Sequence, residues 1–272
     1  MNSTVTPEVI ARARNAQRLA YAAALAVAAE LRPGTSERDA AAAMTTWLER
    51  AGIDGWFHRP FAWFGERTAF VGMGAPWSFF PTACRLEPGM PYILDVAPIV
   101  DGAVADIGYA GCLGEHPLHA RMCADLLAHR ALILAGVQAR HTLAAIYADV
   151  DRLAADQGWV NRHRRYPFGV IAHRVDPIAR ARQTTVAGFG ISALRSLGAA
   201  LAGRRAGWSP FWNGGRRSEH PPTPGLWAVE PHLGHGGVGV KFEELLVIHD
   251  DGRAAWLDDD VPHVRAAAAA AA

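Results

Sequence analysis

The chain has 272 residues, 50% of them hydrophobic and 19% charged, with a formal net charge of +1. That length holds one large domain or two small ones with a sizeable core. The near-neutral charge leaves no electrostatic footprint for nucleic acid or an anionic membrane, and no charge-free run of about 18 apolar residues exists to span a bilayer.

Cys84, Cys112 and Cys123 lack CxxC spacing and read as reduced thiols of a cytoplasmic protein. The N-terminus carries no basic segment leading into an apolar run, which argues against export. Thr6 caps a first helix, with Pro7 at its first position, and this alanine-rich helix runs to about Leu31 before Pro33-Gly34 stops it. Ser36 begins a second helix to about Ala51, with Asp39 placed for a capping box. Trp56 to Phe80 is dense in aromatic rings and broken by glycine and proline, so short strands and loops are expected there. Those rings suit a core, or the wall of a pocket.

The stretch Met90–Gly111, MPYILDVAPIVDGAVADIGYAG, reads as strands Pro91–Pro98 and Ala103–Tyr109 joined by a turn at Asp101-Gly102. Each strand carries one acid among apolar neighbours, Asp95 and Asp106, and the hairpin brings the two carboxylates opposite or one pair apart. Two buried carboxylates repel, and a divalent metal is the simplest remedy. Two amphipathic helices follow, Pro117 to about Gly136 and Thr142 to Gly158, then His173 after a short apolar run.

Residues 177–224 read as an insertion, with a helix from about Ser192 to Ala202 and an aromatic, basic loop. GFGISA at 188–193 has the glycines of a dinucleotide turn but lacks the surrounding βαβ unit. Strands over 226–232 and 238–249 then bring Glu230 and Glu243, with His232 on the face of Glu230 and Glu244 pointing opposite to Glu243. Residues 1–265 are expected to form one domain, and 266–272 a low-complexity alanine tail. The order of elements echoes itself: two helices and an acid-bearing hairpin, then two helices and another.

Asp95, Asp106, His173, Glu230 and Glu243 together suit a pair of divalent first-row ions, Mn, Fe, Co or Zn. Such a pair ionises a bridging water and polarises a substrate oxygen.

The spacing of LDVAPIVDGAVAD, the histidine of GVIAH, and the glutamates of PGLWAVEP and VKFEELLVI resemble the metallopeptidases related to methionine aminopeptidase, prolidase and Xaa-Pro aminopeptidase. The opening helices and RPGTSE resemble the family's start, and the likeness runs from about residue 7 to 258, outside the insertion. No counterpart of the N-terminal domain of prolidase is read here. The resemblance implies the α+β pita-bread fold, a curved antiparallel sheet covered by helices in two pseudo-symmetric halves.

It implies that Asp95 chelates one metal, that Asp106 and Glu243 bridge both, and that His173 and Glu230 complete the other. Metal-bound hydroxide would attack an amide or related C–N bond of a small substrate, an X-Pro-like peptide by default, with Glu243 shuttling the proton. The family's substrate-binding histidines are replaced: upstream of Asp95 stand Ser78-Phe79-Phe80, before His173 stands Gly169, and after it Arg180. His58, His232 or His235 could substitute, His232 being best placed.

Those departures keep open a non-peptidase enzyme on the same fold, a small-molecule lyase or an iron-dependent tailoring enzyme. A binding module with a retired site is a third reading, and retention of all five ligands speaks against it. The expected partners are a small substrate and no nucleic acid or membrane, and a homodimer is left open.

Overall fold

The computed structural model describes residues 5–178, 185–186, 188–190, 198 and 209–271. Helix α1 (Pro7–Glu30) begins where Thr6 Oγ1 accepts the Val9 N–H at 3.3 Å, with Pro7 in the first turn. Helix α2 (Glu37–Arg50) opens on the expected capping box, Ser36 and Asp39 exchanging hydrogen bonds of 3.1 Å with each other's backbone N–H. The aromatic segment then makes one long strand, β1 (Gly55–Phe64), where short ones were expected. Two register shifts around Phe57 and Pro60 bend it and let it follow its neighbour. It leads into 3₁₀ turns at Gly65–Ala69 and Pro76–Phe79.

The acid-bearing hairpin is β2 (Pro91–Val100), β3 (Ala103–Val104) and β4 (Ile107–Cys112), turning at Asp101-Gly102. Asp101 takes φ 51° and Gly102 φ 71°, the left-handed pair that a tight hairpin demands. Helices α3 (Pro117–Gln138) and α4 (Leu143–Asp156) follow. Next come β5 (Val160–Asn161), β6 (Ala172–Val175), β7 (Thr185–Val186), β8 (Phe189–Gly190) and β9 (Phe211–Trp212). The chain closes with β10 (Gly225–Val229), β11 (His232–His235), β12 (Val238–Ile248), β13 (Ala254–Trp256) and α5 (Pro262–Ala271).

The expected strand over 226–232 is thus broken in two. Pro231, with no N–H for a ladder, stands at the break, but the register against β12 continues from β10 into β11, and the Glu230 N–H extends the β10–β6 ladder to Ile171 O at 2.7 Å. Of the helix expected at 192–202, Gly198 alone is described, as helical, and the rest lies outside the described residues. Gly188–Gly190 forms a turn and a short strand between β1 and β7.

The sheet is antiparallel throughout, in the order β7-β8-β1-β2-β4-β12-β10-β6-β9. Helices α1 and α2 bury Ala16, Ala20, Met44 and Leu48 against Leu94, Val96 and Ile107 of the first half. Helices α3 and α4 bury Ile133, Ile146 and Val150 against Trp227, Phe242 and Leu246 of the second. Helix α1 also carries buried polar anchors for β12: Tyr21 OH donates to Glu243 O at 2.6 Å, and Leu245 N–H donates to Gln17 Oε1 at 2.6 Å. Among the described residues no helix is long and apolar enough to cross a membrane.

His119, on α3 beside Cys123, is 7% exposed, and burial, aided by His116, pushes its pKa down to about 4. A histidine held neutral in the folded state contributes stability that is complete above the unfolded pKa of about 6.5 and lost as pH falls toward 4. Urea unfolding of the wild type is expected to lose about 3 kcal/mol from this residue between pH 7.5 and pH 4. His119→Leu should flatten the profile by that amount; an unchanged profile would contradict the assignment.

Candidate metal centre

The middle of the sheet gathers charge that an apolar interior cannot hold unpaired. Asp95 on β2 lies opposite Gly108 on β4, which lies opposite Glu243 on β12. A Cβ on Gly108 would strike the Lys241 side chain, so its missing side chain opens the space between the two acids. Asp106 sits between β3 and β4, two residues before Gly108, the partner of Asp95. His173 on β6 lies opposite Ala228 of β10, and Glu230 follows where β10 ends. Lys241 and Glu243 are two apart on β12 and share a face.

The four carboxylates are nearly dry, with exposures of 4% for Asp95, 2% for Asp106, 6% for Glu230 and 2% for Glu243. Charges so desolvated persist only beside cations. One cation is Lys241, whose Nζ donates to Asp95 Oδ2 at 2.6 Å, Glu243 Oε2 at 2.8 Å and Glu230 Oε2 at 3.0 Å. Two imidazoles serve Asp106: His58 Nε2 is 3.0 Å from Oδ1, and His173 Nε2 is 3.2 Å from Oδ2. His58 Nε2 is also 3.4 Å from Asp95 Oδ1, and His173 Nε2 is 3.9 Å from Glu243 Oε1.

These contacts set the protonation chemistry. Burial alone would lower the His58 pKa, but Asp106 and Asp95 outweigh it and raise it to about 9. Burial pushes Asp106 up, and the two imidazoles overcome it and hold the carboxyl well below the usual range. Burial, with Asp106 and Glu230 close by, drives Glu243 well above the usual carboxylate value. Burial likewise raises Glu230. Lys241 resists burial because Asp95 and Glu243 face it, and its pKa rises well above that of a free lysine.

Two groups of donor atoms, each within 4.8 Å of one another, share Asp106: His58–Asp95–Asp106 and Asp106–His173–Glu243. Carboxylate oxygens with imidazole nitrogens are the donors of first-row divalent ions, so the residues fit such a metal. Lys241 takes one oxygen from each of Asp95, Glu230 and Glu243, leaving Asp95 Oδ1, Glu243 Oε1 and both Asp106 oxygens toward the imidazoles.

Of the five residues expected as ligands, Asp95, Asp106, His173 and Glu243 fall in these donor groups together with His58, and Glu230 joins them through Lys241 Nζ. His232 does not. Its Nε2 lies 2.7 Å from Thr68 O and its Nδ1 3.3 Å from Tyr166 OH, and burial with Lys241 nearby keeps it neutral. His235 is exposed and packs on Trp159. Ser78-Phe79-Phe80 and Gly169 stand where the resemblance puts substrate histidines; Arg180 lies outside the described residues. Phe79 packs on Phe70 and Trp63, and Phe80 on Phe61.

Sequence reasoning missed two residues. Lys241 had a signal, a lysine alternating with Glu243 in an otherwise apolar strand. Glu37, fully buried, had only its place at the start of α2. It accepts from Arg67 at 2.8 Å, Phe64 N–H at 2.9 Å and Thr82 N–H at 2.8 Å, fixing the aromatic segment beside the acids.

A search of curated proteins returned no match to this sequence. Among solved structures, an X-Pro aminopeptidase from Thermotoga maritima aligns with TM-score 0.66 at 16% identity, over 96% of this chain and 63% of that one. A Xaa-Pro dipeptidase from Bacillus anthracis aligns with TM-score 0.63 at 17% identity, over 95% and 62%. A Glu→Ala variant of Escherichia coli aminopeptidase P, in complex with substrate, aligns with TM-score 0.63 at 15% identity, over 98% and 60%. The chain thus spans under two thirds of the length of these structures, and the shared part is the fold: the α+β pita-bread sheet with its two similar halves. The family model described as metallopeptidase family M24 matches residues 11–250, and the chain belongs to that family.

Proposed function

We propose that the protein is a dinuclear metal-dependent hydrolase that cuts an amide or related C–N bond in a small substrate, an X-Pro-like peptide in its default form. The observation that carries this reading is the carboxylate of Asp106, with Asp95 on one side and His173 and Glu243 on the other, at distances that a metal ion could join. Divalent ions held there supply Lewis acidity to the scissile carbonyl and the attacking water. Glu243, whose carboxyl is raised by burial and by its acidic neighbours, takes the proton from that water and returns it to the leaving nitrogen.

The substrate meets an apolar wall. Phe57 stacks on His173 with ring centroids 5.6 Å apart, and Phe61 lies 5.1 Å from the His58 ring. Such surfaces suit a compact apolar residue or a proline ring beside the bond to be cut. The X-Pro and Xaa-Pro names of the structural neighbours support the same substrate class.

The test is a panel of X-Pro dipeptides and tripeptides incubated with protein loaded with Mn, Co, Fe or Zn. Cleavage lost with Glu243→Gln is the expected result. Ser78-Phe79-Phe80 and Gly169, where substrate histidines would stand, favour a second reading in which the same residues serve small-molecule chemistry. Metal binding without cleavage of any peptide would replace the first reading by the second.

A further inference from the structure

The two halves of the sheet repeat one device around Asp106. His58 lies on β1 opposite Ala97 of β2, two positions from Asp95. His173 lies on β6 opposite Ala228 of β10, two positions from Glu230. Each histidine is followed by an arginine whose backbone oxygen faces its Nδ1: Arg59 O at 2.9 Å from His58, and Arg174 O at 3.4 Å from His173. A carbonyl can only accept, so both rings carry their hydrogen on Nδ1 and turn Nε2 inward, the arrangement that orients an imidazole toward a metal. The two Nε2 atoms then meet the two oxygens of one carboxylate, at 3.0 Å and 3.2 Å.

We infer that His58 is a metal ligand, the counterpart of His173 in the other half, so that each of the two ions takes one imidazole. This rests on the dinuclear reading above. On the resemblance alone the ion at Asp95 has only carboxylates, and His58 has no such part.

The position of His58 supports it. The residue is 7% exposed, its ring is flanked by Phe57, Phe61 and Phe189, and its inward nitrogen faces Asp95 as well as Asp106. Once its proton is displaced, Nε2 and the two carboxylate oxygens facing it are all acceptors, and a divalent ion joins them. The chemical consequence is selectivity. An imidazole on both ions shifts preference from manganese, which suits all-oxygen sites, toward iron, cobalt or zinc.

Cobalt is the probe. X-ray absorption on the cobalt-loaded wild type should show about one imidazole per ion, against about half that if His173 alone contributes. Equilibrium dialysis of His58→Gln should keep one cobalt and weaken the other by about 10-fold or more. A half-imidazole average in the wild type, or unchanged binding of two ions by His58→Gln, would overturn the inference and leave the hydrolase reading standing. A wild type that binds no cobalt would overturn both. The wild-type spectrum decides the matter even if the variant folds poorly.

Discussion

Lys241→Met is expected to destabilise chelator-treated protein by about 3–5 kcal/mol, the usual cost of removing one partner from a buried ion pair. The side chain of Lys241 is fully buried, and its ammonium is the sole lysine or arginine contact of Asp95, Glu230 and Glu243 among the described residues. Methionine fills similar volume, so packing beside Gly108 and Tyr166 is kept while three carboxylates lose their shared counter-charge.

The same variant should bind divalent metal at least about 10-fold more tightly, since a unit positive charge within 3.0 Å of three candidate ligand carboxylates no longer competes with the ion. Thermal melts with chelator and with zinc check both points. The metal-induced rise in Tm should be much larger in the variant than in the wild type. Equal melts under both conditions would mean that Lys241 does not carry this charge.

Asp106→Asn should cost more in metal affinity than the about 10–100-fold typical of an outer partner, because Asp106 alone belongs to both donor groups. An amide removes the charge that faces His58 and His173, and its NH₂ would point a donor at one of two inward nitrogens. Dialysis against zinc or cobalt should show loss of both ions, whereas Glu230→Gln, on one side of the centre, should weaken chiefly one. Retention of both ions by Asp106→Asn would separate the two donor groups and undo the shared-ligand assignment.

Much of this centre was legible in the chain. The Asp101-Gly102 hairpin brings Asp95 and Asp106 near each other, and period-two alternation separates Glu243, which faces Lys241, from Glu244, which turns away to Arg130 and His263. Capping residues placed α1 and α2 closely, because a cap is a local device. What failed was non-local. The register against β12 runs on unchanged past Pro231, so His232 keeps the face of Glu230, opposite Lys241; what the chain did not show is that its ring nitrogens meet Thr68 O and Tyr166 OH rather than the acids.

His58 could be named but not placed, since two bulges decide what β1 points at the centre. Lys241 hid because a lysine in a strand ordinarily reads as exposed. Only the space above Gly108 and the three acids around it explain a fully buried ammonium. Glu37 hid for the same reason: its partners lie 27 to 45 residues downstream.

The most direct measurement is the metal content of protein purified without chelator and dialysed against Mn, Fe, Co and Zn in turn, with X-Pro peptide hydrolysis followed on each form. About two equivalents per chain, lost in Asp106→Asn and accompanied by peptide cleavage, is the expected result. No bound metal under any of these conditions would contradict the hydrolase reading and leave the buried acids as the private counter-charges of Lys241, His58 and His173.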